Sequence, residues 1–131
     1  GAACVGEEMT VLITGDMSFS YDVNGLSSTY LSPRFKIIVM CNGGGGIFRF
    51  IKPTSDLPEL ETCFEIHRDI SVEKYADLFG LRYFELNDEK SAAEVLSLFF
   101  AEKDRPAILA VHTPNVYNAE VLRGYFRRSR Q

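Results

Sequence analysis

Two short apolar runs, residues 9–14 and 37–41, show no alternation of apolar and polar positions. A strand of that kind has no solvent face, so it is expected to be covered on both sides, as strands of parallel sheets are. Each run ends in polar punctuation. Gly15-Asp16-Met17-Ser18 follows the first, and Asn42-Gly43-Gly44-Gly45-Gly46 follows the second. A carboxylate and a carboxamide are thereby expected at the carboxyl end of one sheet, where open α/β sheets bind their ligands. Four consecutive glycines cost considerable chain entropy on ordering, and they make most sense where a backbone must approach a ligand closely. Magnesium takes about six oxygens and shares them between one or two side chains, waters and phosphates. A helix N-terminus offers free N–H groups to the same phosphates. The two segments together suit a divalent cation carrying a diphosphate.

The remaining pattern predicts the frame that would hold them. Phe19, Val23, Leu26 and Tyr30 fall at helical spacing, and Pro33 stops further helix. Residues 47–68 are irregular, with Pro53, Pro58 and the polar Thr54-Ser55-Asp56, and read as a long excursion on the ligand side. Ser71 is a candidate N-cap for a helix striped by Val72, Tyr75, Ala76 and Phe79, with Gly80 placed to end it. Residues 82–86 and 107–111 are further strand candidates. Ala92, Val95, Leu96, Phe99 and Phe100 repeat an amphipathic helical pattern, and a last helix carries Val116, Ala119, Leu122, Tyr125 and Phe126. This alternation predicts a single three-layer α/β domain over residues 1–131, with a mostly parallel sheet, right-handed crossovers and helices on both faces.

Composition narrows the partners. At 131 residues, 46% hydrophobic and 24% charged, the chain is an ordinary globular domain. A net charge of −4 argues against nucleic acid, whose phosphates call for a basic face. The basic run Arg123, Arg127, Arg128, Arg130 reads as a solvated helix end. Cys4, Cys41 and Cys63 are odd in number and include no Cys-x-x-Cys pair, which points to a reducing cytoplasm. No apolar run approaches the ~20 residues of a membrane span. The first residues lack a signal peptide's cationic start and read as the tail of a small-residue helix. His67 and His112 have no partner at a triad spacing and read as structural. Glu7, Glu8, Glu59 and Glu61 read as solvated surface, while Arg49 and Lys52 are placed to meet an anionic substrate.

Gly15-Asp16, a connection of this length and Asn42 opening a glycine loop resemble the metal–diphosphate motif of thiamine diphosphate enzymes. Met17 stands where Gly is commonest, and Cys41 precedes Asn42 where Asn-Asn is often found. The fuller string, residues 15–26 with Gly44-Gly45-Gly46-Ile47-Phe48 downstream, is similar to the menaquinone-pathway carboxylate synthases, in which Leu or Met after Gly-Asp is usual. The resemblance covers nearly the whole chain but only the last quarter or so of such an enzyme, its diphosphate-binding domain. The pyrimidine-binding and middle domains have no counterpart here. It implies Asp16, Asn42 and the main-chain carbonyl of Gly44 as ligands of Mg2+ or Mn2+. It implies Gly15, Asp16, Met17, Ser18, Asn42, Gly44, Gly45 and Ile47 as contacts of thiamine diphosphate. Ile47, Phe48 and Ile51 match positions lining the substrate pocket, with plain core packing as their alternative reading.

No catalytic residue is expected in this stretch, because the glutamate that activates the aminopyrimidine belongs to the pyrimidine-binding domain. The resemblance further implies 2-oxoglutarate and isochorismate as substrates, carbon dioxide as a product, and a homodimer or homotetramer at full length. Two alternatives stay open. One is another thiamine diphosphate-dependent 2-oxoacid decarboxylase, including one with its cofactor-anchoring domain on a separate subunit. The other is a non-enzymatic α/β domain whose glycine loop takes a nucleotide or anionic metabolite.

Overall fold

A computed structural model describes residues 2–65 and 70–128; His67 and Arg130 lie outside the described residues. The helices are α1 (Ala2–Val5), α2 (Asp16–Tyr21), α3 (Gly46–Phe50), α4 (Val72–Phe79), α5 (Ala92–Ala101) and α6 (Asn115–Arg128). The strands are β1 (Thr10–Gly15), β2 (Phe35–Cys41), β3 (Arg82–Leu86) and β4 (Ala107–His112). The chain divides into two compact units, residues 1–41 with 71–112, and residues 42–70 with 113–131.

The first unit is the sheet and its covering helices. All strand pairs are parallel, in the order β1-β2-β4-β3. Strand parity sends successive side chains to opposite faces. Ile37, Val39, Ile108 and Ala110 pack on one side with Phe19, Val23, Val72 and Ala76. On the other side Ala107 and Leu109 pack with Phe99 of α5, flanked by Ile38 and Phe84. Helices thus cover both faces, and the expected α/β layering holds. Removing each such large side chain from water is worth about 1.5–3 kcal/mol. The caps read from the sequence hold as well. The Ser71 hydroxyl accepts a hydrogen bond from the Lys74 N–H at 3.3 Å, and Gly80 closes α4 at φ 70°.

Three expectations need correction. β1 is not covered on both sides: Val11, Leu12 and Ile13 are exposed, Ile13 by 67%. It is the edge strand, paired among the described residues with β2 alone, and the six-residue α2 covers little of its length. The helical spacing from Phe19 does not give one helix. α2 stops at Tyr21 and a 3₁₀ turn, Val23–Ser27, carries the chain past Asn24 and Gly25, both weak helix formers. Phe19 and Val23 are still buried, but Tyr30 is exposed. Finally, β2 begins two residues earlier than read, at Phe35, and buries Lys36 completely. Parity puts Lys36 on the Ile38 face, where its Nζ donates to the Glu102 carbonyl at 2.7 Å and lies 6.0 Å from the Phe99 ring centroid. Burial pushes its pKa down.

The second unit is the irregular excursion together with α6. After α3 come a 3₁₀ turn, Thr54–Asp56, and a single π-helical turn, Leu60–Phe64. The Thr54 hydroxyl lies 2.6 Å from the Ile51 carbonyl and 2.9 Å from that of Phe48, and its one proton serves either, which holds the bend together. Apolar packing is sparse. Leu60 and Ala119 are buried, and ring pairs join Phe48 with Phe64 at 5.3 Å and Phe50 with Phe126 at 5.9 Å. Of the stripe expected on α6, Val116, Leu122, Tyr125 and Phe126 are exposed and Ala119 is buried.

Candidate functional site

Each unit carries one half of the candidate set. In the first, Gly15 ends β1 in an extended conformation and Asp16 opens α2. Asp16 is 5% exposed, and its Oδ1 accepts a hydrogen bond from the Met17 N–H at 2.8 Å. Ser18 is exposed and lines a cavity of about 660 Å³ beside Thr14 and Phe19. The parallel register aligns Gly15 with Met40 and Cys41 with His112, so β1, β2 and β4 end together.

Two side chains at those strand ends acquire partners that the linear sequence hides. His112 Nε2 lies 3.1 Å from Glu85 Oε1, and the Tyr83 hydroxyl donates to the same oxygen at 3.1 Å. Glu85 aligns with Ala110 in the β3–β4 register, which makes His112 its diagonal neighbour two residues on. Burial and the Glu85 carboxylate raise the Tyr83 pKa. Cys41 lies alongside, but burial, Asp16 and Glu85 push its thiol up to about 11, and Sγ donates to the Val39 carbonyl at 3.6 Å. A thiol kept protonated is no nucleophile at neutral pH, so Cys, His and Glu here do not make a triad.

In the second unit, Asn42 follows directly on β2 and its Oδ1 accepts from the Gly44 N–H at 3.1 Å. Gly43, Gly44 and Gly45 take φ values of 85°, 88° and 66°, the left-handed region that side chains rarely adopt. Space forbids side chains too. A Cβ on Gly45 would stand 2.7 Å from the Phe64 carbonyl oxygen and from Glu65 Cα. One on Gly46 would stand 2.5 Å from Asn115 Oδ1 and 2.7 Å from Asn42 Nδ2. The glycine run is therefore required by conformation at three positions, and at Gly45 by backbone clearance as well. Ile47 is 61% exposed and Ile51 is also exposed, which removes plain core packing as their role, whereas Phe48 packs on Phe64.

The cations near the loop are engaged within the protein. Arg49 clasps Glu65 with two bonds, Nε to Oε1 at 2.7 Å and Nη2 to Oε2 at 2.6 Å, and reaches Glu61 Oε1 at 2.8 Å. These carboxylates raise its pKa further. The expectation that Arg49 meets an anionic substrate is thus replaced by an internal ion pair, and Glu61 is not simply solvated surface. Lys52 is exposed and faces Asp56 at 3.7 Å. Sequence reading missed Glu65, whose side chain is fully buried, and Asn115, whose Nδ2 donates to Glu65 Oε1 at 2.9 Å and to the Gly44 carbonyl at 3.4 Å. Nothing in the linear pattern marks either one. They are 50 residues apart and look like a surface acid and an ordinary helix-opening Asn.

Among the described residues no group of three or more His, Cys, Asp or Glu is gathered as a metal cluster. The first unit offers a carboxylate at Asp16, and the second an amide oxygen at Asn42 and a main-chain carbonyl at Gly44, hard oxygens of the kind that Mg2+ takes. Nor is any helix among these residues long and apolar enough to cross a membrane.

No family model matches the chain. It is 49% identical over 117 residues, 89% of its length, to the 2-succinyl-5-enolpyruvyl-6-hydroxy-3-cyclohexene-1-carboxylate synthase of Porphyromonas gingivalis. To the synthases of the same name from Flavobacterium johnsoniae and Christiangramia forsetii it is 39% and 36% identical, over 97% and 96% of its length. It spans 20%, 23% and 22% of those three relatives. Over that stretch, the chain belongs to the 2-succinyl-5-enolpyruvyl-6-hydroxy-3-cyclohexene-1-carboxylate synthase family.

Proposed function

We propose that this chain is the diphosphate-binding domain of a thiamine diphosphate-dependent synthase of menaquinone biosynthesis, acting in the cytoplasm on 2-oxoglutarate and isochorismate as a homodimer or homotetramer. The observation that carries the reading is the turn at residues 42–45, where Asn42 and three left-handed glycines follow β2 in a chain related to these synthases. Asp16, Asn42 Oδ1 and the Gly44 carbonyl hold Mg2+ or Mn2+, and Gly15, Met17, Ser18, Gly45 and Ile47 hold the diphosphate end of the cofactor. Asp16 contributes the one full charge of the set. Its burial keeps the carboxylate from being satisfied by water alone. Gly44 and Gly45 keep the backbone bare where metal and phosphate approach, and Ile47, Phe48 and Ile51 wall the substrate pocket. The cofactor, when bound, supplies the electron sink for decarboxylation, while the protein supplies position and electrostatics. No residue here is assigned to acid–base catalysis, so the isolated chain is expected to release no carbon dioxide from 2-oxoglutarate.

Calorimetric titration with thiamine diphosphate, with and without Mg2+, tests the reading, with nucleotides as the competing ligands. Mg2+-dependent binding of thiamine diphosphate is expected in the full-length protein. Asp16→Ala should abolish it, and Asn42→Ala should weaken it less, because a neutral oxygen contributes less than a carboxylate. Unchanged affinity in Asp16→Ala, or a preference for nucleotides, would overturn the assignment.

A further inference from the structure

The glycine loop has no side chains of its own with which to fix its shape, so something else must fix it. On one side of Gly44 the Asn42 carboxamide accepts its N–H, and on the other Asn115 Nδ2 approaches its carbonyl at 3.4 Å. The same Nδ2 donates to Glu65 at 2.9 Å, the shorter and stronger of its two contacts. Those contacts decide how the Asn115 amide is turned. Reversed, it would set Oδ1 against a carboxylate oxygen and a carbonyl oxygen, two acceptors facing an acceptor. In the orientation it takes, Oδ1 is buried against Gly46 and finds no hydrogen-bond partner among the described residues. The N–H groups of the amide therefore face Glu65 and Gly44.

Glu65 in turn is rigidly seated. Its side chain is fully buried, and Arg49, itself 19% exposed, clasps both carboxylate oxygens. The Arg49 carbonyl accepts a hydrogen bond from Arg123 of α6, the helix that Asn115 opens. The backbone of Phe64 and Glu65 also forms the shelf under Gly45 that excludes a Cβ there. One carboxylate residue therefore anchors the loop twice, by backbone contact at Gly45 and through Asn115 at Gly44.

We infer that Glu65 and Asn115 are positioning residues for the Gly44 carbonyl, holding it in the direction from which it binds the divalent cation. This rests on the function proposed above. A carbonyl oxygen has two lone pairs, so it can accept an N–H on one side and face a metal on the other. Partners that orient a ligating group in this way typically change metal affinity 10–100-fold when removed. A fixed carbonyl also matters more for Mg2+, which demands near-ideal octahedral geometry, than for Ca2+, which accepts longer and irregular contacts.

The test is a cation titration of the full-length protein in the presence of thiamine diphosphate, with Mn2+ followed by electron paramagnetic resonance and Mg2+ and Ca2+ by competition. Asn115→Ala should raise the Mn2+ and Mg2+ dissociation constants by about 10–100-fold. It should raise that of Ca2+ less, so the preference for Mg2+ over Ca2+ narrows. A role confined to stability would lower the melting temperature and leave that preference where it was. Glu65→Gln keeps the shape and an acceptor for Asn115, and it carries the test if Asn115→Ala fails to fold; a smaller shift in the same direction is expected. Wild-type affinity and wild-type Mg2+/Ca2+ preference in the folded variant would overturn the inference alone. Absence of cation-dependent binding in the wild-type protein would overturn the cofactor reading beneath it.

Discussion

The two units of this chain are built by different physics. In the first, Ile37, Val39, Phe99, Ile108 and Leu109 are wholly removed from water, and the strands pair in an uninterrupted parallel register. In the second, few apolar side chains are buried, and an ion pair, an amide and several side-chain-to-carbonyl bonds hold the backbone instead. Hydrophobic packing is strong but non-directional and suits a scaffold. Hydrogen bonds and ion pairs are directional and can set the heading of a single carbonyl, at the risk that losing one partner strands another. The comparison teaches that, within its own unit, the glycine loop is held by polar contacts from Asn42 and Asn115. It also predicts different failures. Loss of an apolar contact should unfold the first unit cooperatively, whereas loss of a polar contact should loosen the second locally.

The largest effect should come from Phe99→Ala, which empties a fully buried site between α5 and the sheet. A loss of about 3–5 kcal/mol is expected in urea denaturation. Hydrogen exchange should rise throughout β2, β3 and β4 together. If only α5 amides exchanged faster, the cooperative description of the first unit would fail.

A smaller loss, about 3 kcal/mol, is expected for Glu65→Ala, because one half of a buried ion pair is left without the other. Arg49 keeps Glu61, an exposed partner, which limits the damage. Here exchange should accelerate at residues 43–50 and at the start of α6, while β2 and β4 amides stay protected. Equal acceleration in both units would erase the distinction between them.

The smallest effect concerns two cysteines, one in each unit. Cys41 is partly buried with its thiol raised from 9.0 to about 11, whereas Cys63 is exposed. At pH 8 Cys41 therefore holds about 100-fold less thiolate than an ordinary cysteine would. Iodoacetamide followed by mass spectrometry should modify Cys63 well before Cys41. The native state holds the Cys41 proton more tightly than the unfolded chain does. Its contribution to stability is thus complete below pH 9 and is lost as the pH rises towards 11. Cys41→Ser should remove that part of the alkaline decline. Labelling of Cys41 as fast as Cys63 would mean that the end of β2 is open to solvent.

Much of this architecture is determined by the sequence itself, because its signals are local. Non-alternating apolar runs marked β1 and β2, Ser71 and Gly80 marked the ends of α4, and the period of Ala92 to Phe100 marked α5. The strands 82–86 and 107–111 came out within a residue for the same reason. The Gly-Asp and Asn-Gly segments announced the candidate site, since a run of four glycines has few other physical uses. What the sequence could not determine is which distant residues meet. An apolar run does not say whether its strand lies at an edge, so the exposure of β1 depended on sheet order. Nor does a lysine between apolar residues say that it will be buried, so Lys36 depended on strand parity and on the Glu102 carbonyl waiting at the end of α5. Arg49, Glu65 and Asn115 look like surface residues in the linear chain. Tertiary structure alone joined them into the support of the glycine loop, because a directional contact exists only once both partners have been brought within about 3 Å.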